Sequence, residues 1–135
     1  MTNFAPHIAR GLLAAENAEC ERAEIRSILD RLDSEIRTVT LGNAHLHVGE
    51  FDHPEDEKVM SIADLKQRLV VRSTTDKTRG RIIAGWDPSR DGGYLVSIVY
   101  DEMSMACHNG GQLVEELEAL MHTPRVGRAI RELTG

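Results

Sequence analysis

A stretch of helical periodicity near the N-terminus constrains the fold more than any other feature of this sequence. In residues 17–39, NAECERAEIRSILDRLDSEIRTV, apolar side chains recur at alternating steps of three and four, which places them along one side of a helix. The stripe, counted from just upstream, consists of Ala15, Ala18, Ile25, Leu29, Leu32, Ile36 and Val39. Arg22 is its one charged member. The pattern predicts either one long helix from about Pro6 to Arg37 or two helices with a break near Asn17.

The apolar stripe has two possible partners. It can pack on a sheet of the same chain, or it can pair with its own copy across a two-fold axis. The strands predicted downstream are apolar on both faces, which leaves more apolar surface than one small domain covers easily. This favours a homodimer whose interface includes the stripe residues Ile25, Leu29, Leu32 and Ile36 or an exposed face of the sheet.

Alternating periodicity replaces the helical pattern at Thr38. Residues 38–51, TVTLGNAHLHVGEF, predict two strands joined by a two-residue turn at Gly42-Asn43. One face of this hairpin is apolar. The other face carries Thr38, Thr40, His45 and His47.

The middle of the chain allows two interpretations. Asp52–Lys58 reads as an acidic loop, and Ser61 is predicted to begin a short helix over residues 61–70. Alternatively, the apolar residues from Leu69 onwards begin a strand that runs to Thr74.

The remaining half predicts a second hairpin followed by two helices. Residues 81–87 and 94–101 flank the turn cluster PSRDGG, and their two apolar faces are typical of central strands. After MSMACHNGG, helix Gln112–Met121 and a last helix following Thr123-Pro124 are expected to bury Leu113, Val114, Leu117, Leu120, Met121, Val126, Ile130 and Leu133. The chain is therefore predicted to be α+β, with a mainly antiparallel sheet of four or five strands built from two hairpins. A long N-terminal helix and two short C-terminal helices pack on that sheet. Its 135 residues predict a single domain, residues 1–135.

Composition and charge narrow the class of protein. A net charge of −6 and a pI near 5.5 argue against nucleic acid as the partner. No apolar run approaches the roughly 18 residues that cross a membrane, and the first residues lack a basic leader. With Cys20 and Cys107 both expected to be free thiols, the sequence predicts a cytoplasmic protein without cofactors.

One group of side chains suggests a metal. Two histidines at i and i+2, His45 and His47, can bind one ion through their imidazole nitrogens. Cupins carry a similar His-x-His followed by Glu, but the spacing to Glu50 is too short and the second cupin motif is absent. The favoured interpretation places both histidines on a solvent-facing strand surface, with no metal bound.

Two further patterns suggest an anion or a nucleophile. Cys107-His108 precedes Gly110, Gly111 and the start of a helix, where main-chain N–H groups can hold an anion and a thiol pKa can fall. No third group that would orient a Cys–His pair is visible, so a catalytic role is not expected. Arg125, Arg128 and Arg131 form the only positive cluster and are candidate grips for a phosphate or carboxylate. The competing interpretation is a solvated helix face.

These observations favour a small acidic, non-enzymatic cytoplasmic protein that forms a homodimer and binds another protein as an adaptor, chaperone or inhibitor. The order of elements and the acidic charge are similar to the small dimeric chaperones of type III secretion, a likeness of pattern without a shared motif. The first alternative is a binder of a small anionic ligand such as a nucleotide, through the three arginines and the helix start at Gly110-Gly111. The second is a metal-dependent enzyme that uses His45 and His47.

Overall fold

The computed structural model describes residues 3–134 and contains one five-stranded sheet with four helices. The elements in chain order are α1 (Ala5–Val39), β1 (Ala44–Gly49), α2 (Pro54–Met60), β2 (Arg68–Ser73), β3 (Gly80–Asp87), β4 (Val96–Tyr100), β5 (Met103–Cys107), α3 (Gly110–Met121) and α4 (Pro124–Thr134). Every neighbouring pair of strands is antiparallel, and the spatial order β1-β2-β3-β4-β5 is also the chain order. The predicted α+β architecture is confirmed.

Helix α1 is continuous, so the one-helix alternative is confirmed. Its C-terminal half packs on the sheet, where Ile25 and Ile36 are buried and Leu29 and Leu32 are partly buried against the core. Its N-terminal half leaves the rest of the molecule, because every residue from Asn3 to Asn17 is exposed. A single helix therefore has one half inside the fold and one half in solvent.

The first predicted hairpin is wrong in its first strand. Residues 38–39 remain in α1, and the chain then reverses through Leu41 and Gly42, whose φ angles are 54° and 81°. Strand β1 pairs instead with β2, with Leu46 opposite Val71. Residues 38–39 stay helical although they are β-branched, because Thr40 is buried as the C-terminal cap of α1. The Thr40 hydroxyl donates to the Ile36 carbonyl at 2.8 Å.

The helix predicted over residues 61–70 is also wrong, and the strand alternative is confirmed by β2. Helix α2 lies in the stretch predicted as an acidic loop. It begins with Pro54, its first turn is acidic, and it ends at Ser61 with φ 55°. Its buried carboxylate, Asp56, forms a two-pronged pair with Arg81 of β3 at 2.6 and 2.9 Å. Burial opposes ionisation of Asp56, but the bonds to Arg81, together with its charge, stabilise the carboxylate and leave the pKa of Asp56 lowered.

The second predicted hairpin is confirmed as β3 and β4, with Gly85 opposite Val99. Strand β5 is absent from the prediction, which gives residues 103–107 no element between the second hairpin and the helix that follows. It forms a tight hairpin with β4 through a two-residue turn, Asp101-Glu102, whose φ angles of 49° and 65° are those of a primed turn. The turn contains neither Gly nor Asn, so the sequence carries no strong signal for it.

The two C-terminal helices lie where they were predicted. Leu113, Leu117 and Leu120 of α3 are buried, whereas Val114, which was predicted to be inward, is 38% exposed. In α4, Val126 and Leu133 are buried and Ile130 is partly buried. Among residues 3–134, no helix combines the length and the apolar character that a membrane span requires.

Candidate protein-interaction surface

The last strand, β5, forms one edge of the sheet and offers unpaired main-chain groups. On its inner side β4 pairs with it, and Val99 lies opposite Ser104. The two-residue turn makes Tyr100 and Met103 a hydrogen-bonded pair, so the alternation of an antiparallel ladder directs the N–H and C=O groups of Ser104 and Ala106 away from β4. Within residues 3–134, no side chain or loop forms a hydrogen bond with these main-chain groups. We call these outward groups the open edge.

The strand that carries the open edge is itself uncharged. Residues 103–107, MSMAC, contain no ionisable group other than one buried thiol, and the side chains of Ser104 and Ala106 are exposed. Leu95, before β4, is 43% exposed, and Met103 is 48% exposed. Natural proteins commonly protect an edge strand with charge, proline or a covering element. Strand β5 has none of the first two and no cover from the described residues.

The opposite edge of the sheet, β1, is capped by α1. The Leu46 N–H donates to the Asp33 carboxylate at 2.8 Å, and the Ala44 N–H donates to the Thr40 hydroxyl at 3.1 Å. These are two of the three outward positions of β1, of which Val48 is the third, and they are the counterparts of the two outward positions on β5. The fold therefore bonds two outward positions of β1 to Asp33 of α1 and to its capping residue Thr40, and leaves both outward positions of β5 open.

Local contacts hold both ends of β5 in place. At the turn, Arg125 of α4 donates to Asp101 at 2.6 Å. At the other end Cys107 is buried, the His108 N–H donates to the Gln112 side chain at 2.7 Å, and the Asn109 side chain caps α3. The open edge is therefore a fixed strand before any partner binds, which lowers the entropy cost of adding one.

The thiol at the end of this strand is not suited to nucleophilic chemistry. Cys107 is fully buried, and burial together with the nearby Glu116 raises its pKa. A raised pKa keeps the group as a thiol, whereas nucleophilic cysteines need the thiolate. Cys107 thus belongs to the packing of β5 on the sheet, whereas His108 is exposed just after the strand.

The three arginines predicted to hold an anion do not form a shared site with the helix start of α3. Arg125 is engaged by Asp101, and its Nε is buried without a partner among the described residues, whereas Arg128 and Arg131 are exposed. The ion pair lies at the N-terminal end of β5, whereas Gly110 and Gly111 come after its C-terminal end.

An acidic side chain already lies at the start of α3. A Cβ atom added to Gly110 would meet the Glu24 carboxylate at 2.5 Å and the Tyr94 hydroxyl at 3.3 Å, so a side chain there would have to displace the Glu24 carboxylate. The Tyr94 hydroxyl donates to Glu24, and burial first and then this carboxylate raise the Tyr94 pKa. A second anion at this helix start would be repelled by Glu24.

The two histidines lie on the same strand face and bind neighbouring groups. The His45 ring is 3.3 Å from the Arg72 Nε and 3.1 Å from the Leu46 carbonyl, and the His47 ring is 3.1 Å from the Glu50 carbonyl. Burial, opposed in part by the Leu46 carbonyl, lowers the pKa of His45. Across residues 3–134, no three His, Cys, Asp or Glu side chains are arranged to hold a metal ion.

The four residues predicted for a dimer interface lie between α1 and the sheet of the same chain. Ile25 and Ile36 are 6% and 4% exposed, so their own core occupies them. Apart from Val39 at its C-terminal end, the large apolar side chains that α1 exposes lie near its N-terminus: Ile8, Leu12 and Leu13, preceded by the exposed N-cap residue Phe4. Dimerisation itself stays a prediction. The apolar surface of α1 that remains available for it lies nearer the N-terminus of the helix.

The open edge and its capped counterpart were both missed in the sequence. A signal for β5 is present in the alternation of Met103, Met105 and Cys107 with Ser104 and Ala106, which is typical of a strand. No comparable signal marks Asp33 and Thr40 as hydrogen-bond acceptors for an edge strand. Their partners lie on β1, and the sequence predicts the wrong neighbouring strand for β1. No family model, no curated protein and no solved structure matches this chain.

Proposed function

We propose that this protein is a non-enzymatic protein-binding module that takes an extended segment of its partner as a sixth strand beside β5. The observation that supports the proposal is the open edge, an ordered strand whose outward N–H and C=O groups at Ser104 and Ala106 have no partner within the described residues. An added strand gains main-chain hydrogen bonds there, which is a recurring mode of peptide recognition.

The side chains around the edge indicate the kind of segment that fits. Ser104 and Ala106 are small, and Met103 and Met105 are flexible and polarisable, which suits apolar partner side chains of varied shape. Exposed Glu102 lies at one end of the strand, and the whole protein carries a charge of −6. We therefore expect a short uncharged segment flanked by Lys or Arg, since a basic partner is attracted and an acidic one is repelled.

A peptide-display selection tests the proposal without a prior guess of the partner. Random ten-residue peptides would be selected against the protein and counter-selected against Ala106→Pro, which removes one outward N–H while the ladder to β4 stays intact. The expected winners are uncharged at their centre and basic at their ends. They should lose at least about tenfold in affinity on Ala106→Pro, because a main-chain bond is lost and the proline ring obstructs the added strand.

Ala106→Thr is the matched control, because it changes the same side chain but keeps the N–H. It should bind within about threefold of the parent protein. Two results would count against β-strand addition: selected peptides that bind Ala106→Pro and the parent equally well, or peptides that protect no amide of β5 from hydrogen exchange.

A further inference from the structure

A cleft of about 520 Å³ lies between α1 and the face of the sheet on which this helix packs. Its volume is within the range of sites that hold small molecules. Its apolar lining comes from Ile25 and Leu29 of α1 and from Leu46, Trp86 and Val96 of the sheet. We call this space the α1 cleft. Trp86 is the only tryptophan of the chain and is 4% exposed, so the cleft has an aromatic floor.

One end of the α1 cleft is closed by a contact between the helix and the loop after β3. Arg22 donates to the Asp91 carbonyl at 2.6 Å. The same side chain lies against Gly92, where an added Cβ atom would meet the Arg22 Nε at 2.8 Å. This end is therefore formed before any ligand binds, which lowers the entropy cost of binding one.

Four charged side chains of α1 line the cleft, and two of them already have partners within the fold. Arg22 is bonded to the loop, and Asp33 accepts hydrogen bonds from Leu46 and Arg37. The other two, Arg26 and Asp30, form neither a hydrogen bond nor an ion pair within residues 3–134. They lie four residues apart, a rise of about 6 Å along the helix. The cleft thus offers one cation and one anion beside an apolar floor.

We propose that the α1 cleft binds a small zwitterion with an apolar body, of the length of a dipeptide. A ligand with a single charge would be attracted by one of Arg26 and Asp30 and repelled by the other. A ligand with both charges satisfies the two side chains together: its carboxylate accepts from the guanidinium and its ammonium donates to the aspartate. Its apolar side chains would cover Leu29 and Trp86.

The spacing of the two charges favours two residues over one. An extended dipeptide spans about 7 Å, which is close to the rise between Arg26 and Asp30. Gln67 lines the sheet side of the cleft, and its amide can bond the central peptide group of such a ligand. This inference is independent of the open edge, which lies on β5.

Trp86 makes the cleft its own probe, because an apolar ligand there changes the fluorescence of the only tryptophan. Titration with Leu-Leu to about 10 mM covers affinities down to the millimolar range. Leu-Leu should give a saturable change. Gly-Gly carries the same charges without apolar side chains and should bind at least about tenfold more weakly.

Variants of the two charged residues test the polar contacts. Arg26→Gln and Asp30→Asn should each weaken Leu-Leu at least about fivefold, because each removes a charge-assisted bond. Arg31→Gln is the matched control: Arg31 is also an exposed arginine of α1 but lies outside the cleft, so binding should stay within about twofold.

Capped peptides assign each end of the ligand to one side chain. N-acetyl-Leu-Leu lacks the ammonium, so Asp30→Asn should not weaken it further, whereas Arg26→Gln should. Leu-Leu amide lacks the carboxylate and should show the reverse dependence. Three results would overturn the inference: no saturable change with Leu-Leu, equal binding of Gly-Gly, or equal losses for all peptides in both variants. Free leucine that binds as tightly as Leu-Leu would overturn the assigned length.

Discussion

The two edges of the sheet solve the same physical problem in opposite ways. At β1, the outward N–H group of Leu46 is bonded to Asp33 of α1, and that of Ala44 is bonded to Thr40, the residue that caps α1. At β5, the corresponding groups of Ser104 and Ala106 have no partner within the described residues. A sheet edge is a template for another strand unless something covers it. The difference shows that long helix α1 closes one edge, while the short turn and α3 only hold the other in place.

Hydrogen exchange measures this difference directly and should give the largest effect. We expect the amides of Ala44 and Leu46 to exchange at least about 100-fold more slowly, relative to their unfolded rates, than those of Ser104 and Ala106. A hydrogen-bonded amide exchanges only when its region opens, whereas an outward amide on an open edge meets water continuously. Residue-resolved NMR exchange makes the measurement. Equal protection at the two edges would show that something covers β5.

Proline at matched positions is the sharpest mutational comparison. Ala44 and Ala106 are both alanines whose N–H points outward, one on each edge. Ala44→Pro should lower the free energy of unfolding by about 3 kcal/mol or more, because the ring replaces a buried donor 3.1 Å from the Thr40 oxygen. Ala106→Pro should cost about 1 kcal/mol or less, because no bond within the fold is lost. Urea unfolding of both variants decides it, and similar losses would contradict the comparison.

Removing the cap from β1 should have a moderate effect. Asp33→Ala leaves the Leu46 N–H without its charged acceptor in a nearly buried position, and should destabilise by about 2–3 kcal/mol. Asp33→Asn keeps an acceptor oxygen and should lose less than half as much. Thermal unfolding of the two variants separates the bond from the charge. If Asp33→Ala unfolds like the parent protein, the side chain does not stabilise the edge.

The smallest expected effect is a dependence of stability on pH that involves β1. Burial lowers the pKa of His45 below its ordinary value of 6.5, so the folded state binds this proton less tightly than the unfolded chain. The free energy of unfolding should therefore fall as the pH drops from about 6.5 towards the lower folded pKa. His45→Gln should flatten that part of the profile. Identical profiles for the two proteins from pH 7 to pH 5 would contradict the assignment.

Periodicity identified the elements whose partners are close in the chain. Helices α3 and α4 and the β3–β4 hairpin lie where spacing and turn residues placed them. It failed where a local pattern fitted two structures equally well. Residues 38–41 alternate like a strand, yet residues 38–39 end α1 and residues 40–41 begin the reversal, because burial of Thr40 and the turn at Leu41-Gly42 are set by the packing of α1 on β1.

The candidate surface could be predicted only in part. The alternation in MSMAC was available, but a turn of Asp101-Glu102 without Gly or Asn concealed the hairpin. The apolar stripe of α1 is visible in the sequence as a heptad, but the point at which the sheet stops covering it is not. That point is set by contacts such as Arg22 with the Asp91 carbonyl, across 69 positions of sequence.

What the sequence determined by itself was therefore the set of apolar faces: the stripe of α1, the two-sided apolar strand β3, and the inward residues of α3 and α4. These follow from side-chain periodicity, which is a local property of the chain. Which faces and edges became covered was decided only by the tertiary structure. Strand β2 pairs with β1, α1 caps that edge, and β5 stays open, because such contacts join residues far apart in the chain and depend on the whole fold being formed.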